Sequence, residues 1–377
     1  MPVVTNIQDL RAIAKRKVPR AIFHYADRGS YTETTLRENK ADLDAIPLRQ
    51  RVMIDVSERS TATTMIGEKV SMPLAIAPTG LTGLFHGDGE IHGCRAAHAA
   101  GIPFTLSTMS ICSIEDVAGA VDKPFWFQLY VMRDRKFSES LIERAKAAKC
   151  SALVLTLDLQ IQGQRHMDIK NGLAVPPKLT LANALDTATK PGWILSMLKA
   201  RSRSFGNLAV RQESGSLKTL SQWIAGQFDP SLSWKDVEWV RSIWPGKLIL
   251  KGVLDVEDAR IAAETGADAI VVSNHGGRQL DGAVSSISAL PKIVDAIGDK
   301  SEIWFDGGVT SGQDILKARA LGARGCMMGK AFLWSLAAGG EQGVAQAIDI
   351  MRKELDVSMA LTGVKDIEKV DSSVLAL

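Results

Sequence analysis

Residues Ala269 to Gly282 read Ala-Ile-Val-Val-Ser-Asn-His-Gly-Gly-Arg-Gln-Leu-Asp-Gly and combine side chains suited to acid–base chemistry. The stretch opens as an apolar, β-branched run, the signature of a strand buried on both faces. Then Ser273, Asn274, His275 and Arg278 crowd together, with Gly276 and Gly277 freeing the backbone to turn. An imidazole titrates near neutral pH, and a guanidinium forks onto planar anions. The pair suits a general base beside an anion clamp. A strand followed by a solvated polar loop would read the same way, and the motif alone leaves both open.

Such a loop needs a scaffold that presents it. From Pro73 onward, short apolar runs alternate with helical segments: Leu74–Ala77, Pro103–Leu106, Phe125–Leu129, Ala152–Leu157, Leu248–Lys251, Ala269–Val272, Glu302–Phe305 and Gly325–Met328. Eight strands alternating with helices predict a closed parallel (β/α)8 barrel. An open doubly wound sheet is the competitor, but no GxGxxG follows the first strand. Asp255 can cap a helix over Val256–Thr265, and Gly266 ends it.

Residues 1–70 form a helical extension, in which Thr5 or Asn6 caps a helix carrying Ile7, Leu10, Ile13 and Ala14. A second helix holds Tyr25, a residue that on type alone belongs to packing. Residues 71–377 make the barrel, and the whole chain is expected to be one domain. One gap breaks its rhythm: roughly 90 residues separate the fourth strand from the fifth, far more than a βα unit needs. Within it, the insertion 173–222 carries seven Lys or Arg against two acids around Trp193-Ile194-Leu195-Ser196-Met197-Leu198.

Bulk properties exclude several classes. A net charge of +3 gives no case for nucleic acid. Cys94, Cys112, Cys150 and Cys326 are widely spaced, which argues against a zinc site or disulfide framework and fits a reducing compartment. His86, His92 and His98 recur every six residues and do not share a helical face, so no metal site is expected. Cys150, Cys326 and the tryptophans at 223, 234, 239 and 244 are assigned to packing. The opening residues show no signal-peptide pattern, and no apolar run approaches the roughly 20 residues of a spanning helix. A cytoplasmic location is expected.

In a barrel, chemistry sits at the carboxyl ends of the strands. In strand order the rim receives Ala77-Pro78-Thr79, Ser107, Gln128 with Tyr130, Thr156 with Asp158 and Arg165, and Lys251. Ser273, His275 and Arg278 follow, then Asp306-Gly307-Gly308 and Gly329-Lys330. The last two groups each precede a helix, a common place for phosphate in barrels. A phosphorylated cofactor is the natural occupant.

These residues carry a resemblance. The sequence resembles the FMN-dependent L-2-hydroxy acid dehydrogenase and oxidase family nearly end to end. The likeness runs through Lys17-Val18-Pro19, Ala77-Pro78-Thr79, Trp126-Phe127-Gln128-Leu129-Tyr130, Ser233-Trp234-Lys235-Asp236, Leu250-Lys251-Gly252 and Ser273-Asn274-His275-Gly276-Gly277-Arg278-Gln279-Leu280-Asp281. Within the family, the runs Met72–Gly83 and Gly101–Thr108 are most similar to the membrane-associated bacterial L-lactate dehydrogenases. The resemblance implies that His275 is the base and that Asp158 stabilises its imidazolium. It implies that Arg278 and Arg165 hold the substrate carboxylate and that Tyr25 and Tyr130 bond the carboxylate and the reacting oxygen. Lys251 would lie at the flavin pyrimidine edge. Thr79, Ser107, Gln128, Thr156 and Ser273 would bond the flavin ring or its ribityl chain. Three positions depart from the family pattern. Thr310 and Lys330 stand where arginines usually meet the phosphate, and Met109 stands where plant-type glycolate oxidases carry tryptophan.

The resemblance therefore implies FMN-dependent oxidation of an L-2-hydroxy acid, with L-lactate expected. A quinone-type acceptor is expected because Gly80 replaces the alanine that oxidases of the family often carry. An oxidase using dioxygen on glycolate- or mandelate-type substrates, and an FMN-binding barrel isomerase, are the alternatives. The isomerase would not need the Arg165–Arg278 pair, and a non-catalytic membrane adaptor would not need the rim. The insertion 173–222 is expected to touch the membrane, with Trp193, Ile194, Leu195, Met197 and Leu198 entering the interface; the rival is a lid. A homo-oligomer, a tetramer, is what the resemblance implies.

Overall fold

The computed structural model describes residues 3–173, 180–202, 204–208 and 226–376. Arg203, Trp223 and most of the second half of the insertion lie outside them. An N-terminal extension comes first, with α1 (Ile7–Lys17), α2 (Arg20–Asp27) and α3 (Thr34–Ala45). Asn6 caps α1 by accepting from the Asp9 backbone N–H, and Ile7, Leu10 and Ala14 bury one stripe. The extension is not wholly helical. A hairpin, β1 (Thr63–Met65) and β2 (Glu68–Val70), ends it.

The barrel follows as β3 (Leu74–Ile76), α4 (Gly89–Ala100), β4 (Thr105–Ser107), α5 (Ile114–Ala118), β5 (Trp126–Leu129), α6 (Arg135–Ala147) and β6 (Ala152–Thr156). After β6 come α7 (His166–Lys170), then α8 (Leu181–Ala188) and α9 (Pro191–Lys199) of the insertion, before α10 (Trp234–Ile243). The chain then runs β7 (Lys247–Val253), α11 (Val256–Glu264), β8 (Ala269–Val272), α12 (Ser286–Ile297), β9 (Glu302–Asp306), α13 (Gly312–Ala320), β10 (Gly325–Met328) and α14 (Lys330–Leu361). All eight barrel strands are parallel, in the order β3-β10-β9-β8-β7-β6-β5-β4. An Ile76–Phe104 bridge closes the ring.

The period of two along each strand divides the core. Ala75, Trp126, Val154, Ile249, Val271, Trp304 and Met327 fill the barrel interior, while Leu74, Phe127, Leu153, Leu250, Ile270, Phe305 and Cys326 pack outward on the helices. Trp126 and Trp304 stack at 5.2 Å. The hairpin plugs the floor, because Met65, Ile66 and Val70 join the interior cluster. Continuing the inward register past the apolar layer delivers Ser107, Gln128, Thr156, Lys251, Ser273 and Asp306 to the opposite end. The fold therefore puts the polar residues where the chemistry is expected.

Candidate active site

At that end lies a cavity of about 910 Å³. Its wall includes Tyr25, Ala77, Pro78, Thr79, Ser107, Tyr130, Arg165, Lys251, His275, Arg278, Asp306, Gly307, Gly308, Gly329 and Lys330. These residues come from the extension, seven strand ends and the loop after β6. Asp158, Gln128, Thr156 and Ser273 sit just behind the wall.

His275 Nδ1 lies 3.0 Å from Asp158 Oδ1. Burial lowers the His275 pKa from its ordinary value, although the Asp158 charge opposes this. Burial raises that of Asp158, but the attraction of His275 and Lys251 outweighs it and leaves the carboxyl below the ordinary range. We take the pair as neutral imidazole and carboxylate. Nδ1–H then donates to Asp158, and Nε2 keeps its lone pair. The backbone of His275 is left-handed, with φ of 59°.

Around this pair stand the cations. Arg278 lies over the Tyr25 ring, 4.6 Å from its centroid, and Arg278 Nη1 donates to the Tyr25 carbonyl. Arg165 Nε donates to the Arg278 carbonyl at 3.3 Å. Burial and the facing Arg278 lower the Arg165 pKa, which marks a guanidinium without enough negative charge around it. Burial raises that of Tyr130, with Asp158 adding to it, so its hydroxyl stays protonated and can donate. Lys251 Nζ donates to Asp306 Oδ2 at 2.6 Å and to Ser273 Oγ at 2.9 Å, a compact buried triad.

Lys330 Nζ donates to the Ala26 and Arg28 carbonyls at 2.7 and 3.1 Å. Burial pushes its pKa down to about 7, and Arg278 adds to the shift. Thr310 turns away from any such role, since its hydroxyl and N–H both donate to Asp314.

Some wall residues were not expected from sequence. Asp168 of α7 is buried and lines the cavity, and burial raises its pKa against the pull of Arg278, Arg165 and Lys330. Phe205 and Phe228 line it too, with Phe228 edge-on to Tyr130 at 6.2 Å. No local pattern marks any of the three. Among the described residues, no group of His, Cys, Asp and Glu has the arrangement of a metal site.

A family model described as FMN-dependent dehydrogenase matches residues 14–377. The chain belongs to the FMN-dependent dehydrogenase family. It is 47% identical to the L-lactate dehydrogenase of Ectopseudomonas mendocina, covering 99% of each chain. It is 46% identical to that of Pseudomonas aeruginosa, covering 99% of this chain and 98% of the other. Its fold is similar to a crystal structure of (S)-mandelate dehydrogenase, described as a monotopic membrane protein. That match has a TM-score of 0.94 and 35% identity, covering 99% of both chains. A mandelate oxidase structure matches with a TM-score of 0.82 and 36% identity, covering 97% of this chain and 96% of the other. The enzyme is thus an FMN-dependent oxidoreductase.

The cavity fits that cofactor. Gln128 Nε2 and Thr156 Oγ1 are buried at the strand ends without a protein partner, as groups awaiting a polar ring edge would be. At the other end, Gly307-Gly308 and Gly329-Lys330 lead into α13 and α14, where backbone N–H groups and Lys330 suit a phosphate dianion.

Proposed function

We propose that the enzyme oxidises L-lactate to pyruvate and passes the electrons to a quinone-type acceptor. The carrying observation is the half-buried Arg165–Arg278 pair beside an imidazole backed by a carboxylate. The two guanidiniums hold a substrate carboxylate, and the hydroxyls of Tyr130 and Tyr25 orient it and the reacting oxygen. His275 Nε2 removes a proton from the substrate, and Asp158 stabilises the imidazolium that results. FMN, when bound, supplies the two-electron acceptor. Lys251, held by Asp306 and Ser273, would lie beside the ring edge for which Gln128 and Thr156 would offer bonds, and would favour negative charge there. Thr79 and Ser107 would complete that lining, and Lys330 with the Gly307–Gly308 and Gly329 backbone would hold the phosphate. We take residues 1–377 as one functional domain and the assembly as a tetramer.

L-Lactate as substrate follows the names of the relatives at 46–47% identity. The test is anaerobic mixing of the FMN-loaded enzyme with L-lactate, followed by a quinone analogue or oxygen. The flavin should bleach with stoichiometric pyruvate and recover faster with the quinone. Faster recovery with oxygen would favour an oxidase, and no bleaching would remove both.

We also propose peripheral attachment to the cytoplasmic membrane face through the insertion. No helix among the described residues is long and apolar enough to cross a membrane. The apolar outer face of the insertion differs from the expected one. Trp193 turns inward and donates from Nε1 to the Leu84 carbonyl at 2.7 Å. Lys190 and Arg201 are likewise engaged, with the Arg16 carbonyl and Asp88. Leu181, Leu185, Leu195 and Leu198 instead stand 78, 62, 53 and 59% exposed. Four leucines on adjacent helices suit insertion at a lipid interface. Replacing them with serine should abolish sedimentation with anionic vesicles and leave flavin reduction unchanged. Retained sedimentation would show that another surface binds.

A further inference from the structure

The reading of His275 as base leaves open what holds its loop. We propose that Asn39, on α3 of the extension, is a positioning residue for that base.

Asn39 and Asn274 are buried, 235 positions apart, and their carboxamides pair reciprocally. Asn39 Nδ2 donates to Asn274 Oδ1 at 2.8 Å, and Asn274 Nδ2 donates to Asn39 Oδ1 at 2.7 Å. Each amide is used further. Asn274 Oδ1 accepts the Gly277 N–H at 3.1 Å, and Asn274 Nδ2 donates to the Val284 carbonyl at 3.1 Å. Asn39 Oδ1 accepts the Ser286 N–H at 3.2 Å.

The Gly277 bond is the decisive one, because it closes the chain around His275. A left-handed histidine is sparsely populated and persists only where its surroundings enforce it. Here the enforcement comes from α3. Gly277 presses so close that an added Cβ would lie 2.6 Å from the Leu36 backbone, and Asp281 accepts the Thr32 and Thr35 N–H groups at 2.9 and 3.0 Å. The amide pair also abuts the Gly307 turn. A Cβ there would lie 3.5 Å from both Asn274 Oδ1 and Asn39 Nδ2. One buried carboxamide from the extension thus braces the base loop beside the cofactor loop. His275 Nε2 keeps its aim through a residue that bonds Asn274 beside it and itself lines the cavity wall.

The inference rests on the reading above, so the wild-type enzyme is measured first. If no L-2-hydroxy acid reduces its flavin, that reading fails before any variant is compared. Asn39→Ala removes the pair but retains the backbone of α3. It should slow the limiting rate of flavin reduction about 10²-fold per bound FMN, with half-saturating lactate changed by less than about threefold. Asn39→Asp keeps the acceptor for Asn274 Nδ2 and loses the donor, so its loss should be smaller. A role in folding alone would lower the melting temperature and leave the rate per bound flavin at the wild-type value. That result overturns the proposal. If Asn39→Ala does not fold, Asn39→Asp decides in the same way: a slower rate supports the proposal and a wild-type rate overturns it.

Discussion

His275→Gln is expected to keep its FMN and lose about 10²–10⁴ in the rate of flavin reduction by L-lactate. Glutamine retains an amide that can reach Asp158 but has no basic nitrogen to take a proton. The pH dependence gives a second reading. The folded pKa of His275 lies below its ordinary value of 6.5, and only the neutral imidazole acts as a base. The wild-type rate should therefore hold as pH falls through 6.5 and drop only below it. In the variant that acid limb should vanish. A single-turnover rate near that of wild type, or an unchanged limb, would remove His275 from the chemistry.

The second large effect is on the cofactor. Lys330→Ala should weaken FMN binding roughly 10–100-fold, the equivalent of about 1.5–3 kcal/mol for a bond to a charged group. Direction with pH follows from burial. With its pKa near 7, Lys330 loses its proton above neutrality in the flavin-free protein. The phosphate prefers the ammonium form, so binding takes up a proton there. Affinity should be flat below about pH 7 and then fall by up to about tenfold per unit, until the pKa of the complex is passed. Flavin-fluorescence titration of the apoprotein measures both. Equal affinity and equal pH slope in wild type and variant would show that the backbone N–H groups suffice.

Much of the barrel is legible because short, wholly apolar runs alternate with helical segments, as strands of a parallel sheet covered on both faces do. Ala269–Val272 and Gly325–Met328 fall where expected. The second barrel strand starts later than expected, at Thr105, because Pro103 has no N–H for a ladder. The motif from Ser273 to Asp281 is legible for a related reason, since nearly every residue in it has a separate bond. Gln279 holds the Asp158 and Ile161 carbonyls, for example. Asn39, Asp168, Phe205 and Phe228 carry no such signal. Each is an ordinary residue in an ordinary pattern, and only closure of the barrel brings it to the site. Trp193 fails for a different reason. Five of the six residues in the hexad are apolar, so its period could not say which face meets the barrel.

Stereochemistry offers the most direct test. In the proposed arrangement two guanidiniums and two hydroxyls would fix the substrate carboxylate and oxygen, which would leave one hand of the carbon with its proton within reach of His275. Anaerobic mixing of the FMN-loaded enzyme with each enantiomer of lactate, followed by flavin absorbance, decides it. The account predicts rapid, complete bleaching by L-lactate and none on that timescale by D-lactate; equal bleaching by both, or none by L-lactate, would contradict it.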